Sequence, residues 1–180
     1  MLIVEGPDGT GKTTLAKLLV EEIDILEYRR APSLSSLNGA DHEVYDWWKQ
    51  QIRENNPQAV YDRCFFTSEF IYQLATHERE LIVSAKNMGY GMQDLWLKDT
   101  HWIFCDPGWE AAQHNISAQP QKLKGVSLLD LEKIHWAYPQ VRTMLSLGYR
   151  AEQIMTYDYL TDDPDKAISF AAGYLELVVG

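Results

Sequence analysis

Gly6-Pro7-Asp8-Gly9-Thr10-Gly11-Lys12-Thr13 joins an apolar run, residues 1–5, to a helical pattern over Lys12–Glu22 in which Leu15, Leu18 and Leu19 share one face. The stretch fits G-x-x-x-x-G-K-[ST]. Its glycines let the backbone curl so that successive N–H groups point inward at anionic oxygens. The helix that follows offers unpaired N–H groups and the positive end of its dipole to the same anion. In this pattern Lys12 reaches the β- and γ-phosphates of a nucleoside triphosphate and the Thr13 hydroxyl ligates Mg²⁺. Chance places the pattern in a chain of this length about once in 200 trials with average residue usage. The strand before it and the amphipathic helix after it are the context the mechanism requires.

Working outward, the sequence alternates strands and helices. Residues 1–5, 24–28, 58–61, 101–105 and 153–157 read as strands. Helices are expected at 12–22, 41–55, 65–75, 81–88, 109–113, 127–145 and 163–178, with 31–40 and 115–125 as polar connections. Ser127 and Asp130 form a capping pair, Pro164 suits a first helical position, and Pro139 is a point of strain inside its helix. This alternation predicts a parallel sheet covered on both faces, with ligands held beyond the carboxyl ends of its strands. Gly6, Arg29–Arg30, Asp62–Arg63 and Asp106 all fall just past a predicted strand end, so one rim collects them.

The chain has 180 residues, enough for one domain over 1–180 with one core, and a formal net charge of −10. An acidic chain with scattered Lys and Arg is repelled by a nucleic-acid backbone, so binding to nucleic acid is not expected. A small anionic nucleotide is still compatible, because a few local cations and backbone N–H groups hold a phosphate. Cys64 and Cys105 have neither a redox nor a zinc spacing and read as buried thiols. The five histidines show no metal or triad spacing. No apolar run reaches membrane length, and no secretory leader precedes Gly6, so a soluble, cytoplasmic protein is expected.

Gly6-Pro7-Asp8-Gly9-Thr10-Gly11-Lys12-Thr13-Thr14 resembles the phosphate loop of thymidylate kinases, a family of P-loop kinases. Tyr61-Asp62-Arg63, followed by Thr67-Ser68 and Tyr72-Gln73, is similar to that family's Asp-Arg-Tyr and its later Ser and Tyr-Gln; Cys64 stands where the family has Tyr. Arg30-Ala31-Pro32 is similar to its Arg-Glu-Pro, with Ala31 departing from the pattern. The resemblance implies a P-loop NTPase three-layer sandwich: a five-stranded parallel sheet with helices on both faces. It implies that Asp8 meets the acceptor's sugar, Asp62 helps hold hydrated Mg²⁺, and Arg63 and Arg30 grip phosphate. Phe66 and Tyr72, and less so Trp47 and Trp48, are candidates to stack on an acceptor base. Relatives by resemblance are often dimers, which leaves a homodimer open.

The family also carries a lid rich in arginine. The matching stretch here, about 113–126, has no Arg. Lys122 and Lys124 are its cations, and Arg142 from the next helix is a substitute; a lysine neutralises phosphate but lacks the guanidinium fork. The acceptor pocket is expected to draw on loops at 34–40 and 88–92. The leading expectation is ATP- and Mg²⁺-dependent phosphoryl transfer to a (deoxy)nucleoside monophosphate. Ala31 removes a carboxylate base that a hydroxyl acceptor needs, although Glu27 or Glu69 are alternatives. A kinase of a nucleoside or modified-base hydroxyl, even within DNA, is the second reading, and a non-catalytic nucleotide-binding protein the third. A guanine-reading Asn-Lys-x-Asp is absent from the sequence.

Overall fold

The computed structural model describes residues 1–32, 41–76, 85–118 and 127–180. Five strands, β1 (Leu2–Glu5), β2 (Glu27–Arg30), β3 (Ala59–Asp62), β4 (His101–Cys105) and β5 (Ile154–Tyr157), form one parallel sheet in the order β2-β3-β1-β4-β5. The helices are α1 (Lys12–Glu22), α2 (Asp41–Glu54), α3 (Phe65–Thr76), α4 (Ala85–Leu97), α5 (Trp109–Ser117), α6 (Leu128–Ser146) and α7 (Pro164–Val179).

Strand alternation sorts the core into two layers. Leu2, Val4, Val60, Ile103, Cys105, Met155 and Tyr157 pack with Leu15, Ala16 and Leu19 of α1 and Ala167, Ala171, Tyr174 and Leu175 of α7. Ile3, Tyr61, Trp102 and Phe104 face the opposite way, against Trp48 of α2, Phe66 and Ile71 of α3, Leu95 of α4, Ile116 of α5 and Ile134 of α6. The first layer is mainly aliphatic and the second is aromatic. Helices thus cover both faces of the sheet, as the alternation predicts.

Local signals hold at several ends. Ser127 caps α6 by accepting the Asp130 N–H at 3.1 Å and returns its hydroxyl to the Asp130 carboxylate at 2.6 Å. Asp163 caps α7, with Pro164 in its first turn. α6 runs on through Pro139 to Ser146.

Three expectations are corrected. β2 lies at 27–30, not 24–28, so Arg29 and Arg30 are strand residues paired opposite Tyr61 and Asp62. This edge strand is largely exposed and is defined by its ladder with β3, whereas the apolar Ile25 and Leu26 suggested an earlier start. α4 continues to Leu97, so residues 88–92 are helix rather than loop. A Cβ at Gly91 would lie 2.2 Å from Phe66 Cε1. Gly91 therefore packs against Phe66 of α3 where a side chain has no room. α5 also extends past 113, to Ser117. The segments 33–40, 77–84 and 119–126 lie outside the described residues, and with them Lys122, Lys124, most of the expected lid and the 34–40 loop.

Candidate active site

β1 lies at the centre of the sheet with all its residues buried, and it delivers the chain to Gly6 at the carboxyl-end rim. Two glycines there are sterically required. Gly6 has φ +146° and Gly9 φ +78°, and a Cβ would come within 2.5 Å of the Cys105 carbonyl at the first and 2.4 Å of the Ala112 carbonyl at the second. The loop is braced internally by the Thr10 hydroxyl, which donates to the Pro7 carbonyl at 2.8 Å. From outside, the Asn115 amide donates to the Gly9 carbonyl and to the Tyr159 hydroxyl, each at 2.8 Å.

Lys12 is buried and its ammonium donates to the Pro7 carbonyl, inside the curl. Burial and the nearby Arg63 charge lower its pKa to about 8, against the opposing pull of Asp8 and Glu5. A buried cation short of counter-charge is a site prepared for an anion. Thr13 is half-buried and Thr14 exposed.

Asp62 ends β3, the strand next to β1, and is 3% exposed. Its Oδ2 accepts the Thr13 hydroxyl at 2.7 Å and the Tyr28 hydroxyl at 2.8 Å, and Arg30 Nε stands 3.9 Å away. Burial, then the bond to Asp62, push Tyr28 up to about 12, so it keeps the proton it donates. Thr13 spends its proton on Asp62, so its hydroxyl oxygen keeps lone pairs for a cation. One hydroxyl backed by one carboxylate fits Mg²⁺, a hard cation that takes most of its ligands from phosphate and water.

Arg63 follows Asp62 with φ +76°, a left-handed conformation unusual for a non-glycine residue. Its guanidinium pairs with the Asp8 carboxylate, which also accepts the Tyr72 hydroxyl at 3.1 Å. Burial raises the Asp8 pKa, but the Arg63 and Lys12 charges and these hydrogen bonds outweigh it and hold the carboxyl at about 2. Around Gly6–Thr13, Arg63 thus pairs with Asp8, Asp62 holds Thr13 with Arg30 nearby, and Lys12 turns into the loop itself.

No protein-family model and no curated protein matches the sequence. Solved structures do. The YorR protein of Bacillus subtilis, crystallised with phosphorylated GDP, superposes with TM-score 0.64 at 15% identity over 98% of this chain and 95% of its own. Deoxyadenosine kinase from M. mycoides with bound dCTP gives 0.61 at 15% identity over 99% and 100% of the two chains. Thymidylate kinase from Candida albicans gives 0.55 at 15% identity over 98% and 90%. The chain has a P-loop kinase-like fold.

Within that fold, the candidate side chains divide. Lys12, Thr13, Asp62, Arg63, Asp8, Arg30 and Tyr72 meet at the rim. Phe66 does not: its ring is fully buried against Tyr45, Trp48 and Phe65 and offers no free face to a base. Aromatic spacing alone does not distinguish a core ring from a stacking ring. Trp48 is likewise core, and Trp47 packs edge-on against it with centroids 5.4 Å apart. Arg142 donates to the Thr156 hydroxyl of β5 at 2.7 Å, which ties α6 to the sheet. Cys64 and Cys105 are free and buried, and burial pushes each thiol up to about 12. No helix among the described residues is long and apolar enough to cross a membrane.

Sequence reasoning missed Tyr28, Asn115, Tyr159 and Glu5. Nothing local marks the first three. Glu5 did leave a signal: it is the only charged residue in the buried strand Leu2-Ile3-Val4-Glu5.

Proposed function

We propose that the chain is a nucleotide kinase, similar to thymidylate kinases, that transfers the γ-phosphoryl group of ATP to a (deoxy)nucleoside monophosphate. One observation carries the choice of acceptor: among the described residues the rim offers cations for a second phosphate, while its carboxylates Asp8 and Asp62 are already held by donors. Asp8 is engaged by Arg63 and Tyr72, and Asp62 by Thr13 and Tyr28. Glu27, an alternative base in the sequence, lies on the outer edge strand and accepts from Arg29 at 2.6 Å. Glu69 is 4% exposed. A monophosphate needs no base, because its attacking oxygen is already ionised.

The work of the chain is then positioning and charge stabilisation. The backbone N–H groups of the loop and Lys12 hold the donor phosphates. Arg63 leaves Asp8 for the transferring phosphoryl group, and Arg30 grips the acceptor phosphate with its fork. Mg²⁺, held through Thr13 and Asp62, would neutralise charge on the β- and γ-oxygens.

Transfer to a nucleoside hydroxyl is the second reading, favoured by the whole-length similarity to deoxyadenosine kinase. The test incubates the protein with labelled ATP and Mg²⁺ against each nucleoside, each monophosphate and modified-base DNA, with Lys12→Ala as control. Label on a monophosphate supports the first reading. Label only on a nucleoside or DNA replaces it with the second, and ATP binding without transfer to any acceptor leaves a non-catalytic nucleotide binder.

A further inference from the structure

Glu5 closes β1 on the same sheet face as Ile3, pointing into the aromatic layer beneath α3 and α6. It is 0% exposed. A carboxylate in such a place is stable only if donors surround it, and here there are four. Oε1 accepts the Gly6 N–H at 3.0 Å and the Tyr138 hydroxyl at 3.1 Å. Oε2 accepts the Cys64 N–H at 2.9 Å and the Thr67 hydroxyl at 2.5 Å, a hydroxyl that also stands 3.0 Å from the Cys64 carbonyl. These donors come from the start of the phosphate loop, the turn after β3, α3 and α6.

Two bonds to the end of β1 hold the backbone at Arg63. Its own N–H donates to the Val4 carbonyl at 2.9 Å, and the next N–H, of Cys64, donates to Glu5. The left-handed backbone at Arg63 is therefore pinned on both sides by the end of β1. Asp8 holds the guanidinium of the same residue, but a bound phosphate competes for that grip. The grip of Glu5 on the main chain meets no such competition.

We infer that Glu5 is a positioning residue of the phosphotransfer site: its buried carboxylate ties the first N–H of the phosphate loop to the turn that carries Arg63, and so sets where that guanidinium stands. This rests on the kinase reading above for its consequence in turnover, but not for its consequence in structure. A glutamine in its place presents an NH₂ group to one pair of donors and loses both bonds on that side.

The experiment compares wild type, Glu5→Gln, Arg63→Lys and the double variant as full-length protein. The first readout is the ¹⁵N–¹H signal of the Arg63 guanidinium in the nucleotide-free protein, assigned by its disappearance in Arg63→Lys. We expect Glu5→Gln to shift or broaden it away; an unchanged signal overturns the inference. The second is kcat/KM for the acceptor. Glu5→Gln should lower it about 100-fold in the wild-type background and less than about threefold beside Arg63→Lys. Equal losses in both backgrounds overturn the inference and leave Glu5 a stability residue. If Glu5→Gln fails to fold, Tyr138→Phe and Thr67→Val each remove one donor and keep the carboxylate; the same non-additivity with Arg63→Lys is expected at about tenfold, and additivity overturns it. A wild type that labels no acceptor defeats the proposed function, and the guanidinium signal alone then decides the role of Glu5.

Discussion

The two halves of the rim are built differently. The donor half stands on β1 and β3 in the middle of the sheet, and Lys12 and Asp62 are buried there. The acceptor half depends on β2, an edge strand, and on side chains that reach across solvent: Arg30 is 61% exposed and Asp8 42%. In the proposed function, donor binding rests on the loop backbone, where Gly6 and Gly9 leave no room for a side chain, and on the buried Lys12. In the same proposal, acceptor binding rests on partly exposed side chains, which are cheaper to move and to replace. The donor half is therefore expected to be rigid and intolerant of change, and the acceptor half to be where specificity is adjusted.

The largest expected effect is at Lys12. Lys12→Met should lower transfer at least about 1,000-fold, since it removes the one cation inside the loop. The same change should raise Tm by about 2–6 °C at pH 7. The folded-state pKa is lowered to about 8 from 10.5, so at neutral pH the fold bears the cost of a buried charge that relaxes only as pH rises through that window. Calorimetry and single-turnover assays check both; a lower Tm would show that Lys12 supports the loop rather than straining it.

Next is Asp62→Asn, expected to cost about 100-fold in kcat and to raise the Mg²⁺ needed for half activity. Tyr28→Phe removes only one of the donors to Asp62 and should raise that Mg²⁺ requirement about threefold with little change in acceptor KM. A Mg²⁺ titration in which neither variant differs from wild type would break the assignment of Asp62 to the cation.

A smaller effect is expected on the acceptor side. Arg30→Ala should raise acceptor KM about tenfold while leaving the ATP KM and stability nearly unchanged, because Arg30 is largely exposed and its pair with the buried Asp62 is long, at 3.9 Å. Equal changes in both KM values would erase the contrast between the halves. The mildest effect is the acid limb of stability. Asp8 is held at about 2 against 3.8, so its contribution is complete above pH 3.8 and disappears as pH falls toward 2. Asp8→Asn should flatten that part of the Tm-against-pH curve.

Against this contrast, the donor half was the more legible in sequence. The loop, its flanking strand and helix, and Asp62 at a strand end follow from a short motif and from periodicity, both local. The acceptor half was harder to read for a physical reason. β2 is recognised by its ladder with β3 rather than by burial, which is why Arg29 and Arg30 seemed to lie beyond it. Phe66 and Tyr72 belong to the same helix, yet the Phe66 ring is enclosed beside Gly91 while the Tyr72 hydroxyl reaches Asp8.

By itself, the sequence determined an α/β sheet of parallel strands and a phosphate-binding turn, because the pattern of apolar residues and the positions of glycine are set within a few neighbouring residues. Only the tertiary structure decided which carboxylate serves which partner. Glu5 meets Tyr138 across 133 positions, Asp8 meets Arg63 across 55, and Asp62 meets Thr13 across 49. Such pairings are set by strand order and helix packing, which bring distant segments together, and no local stretch of chain encodes them.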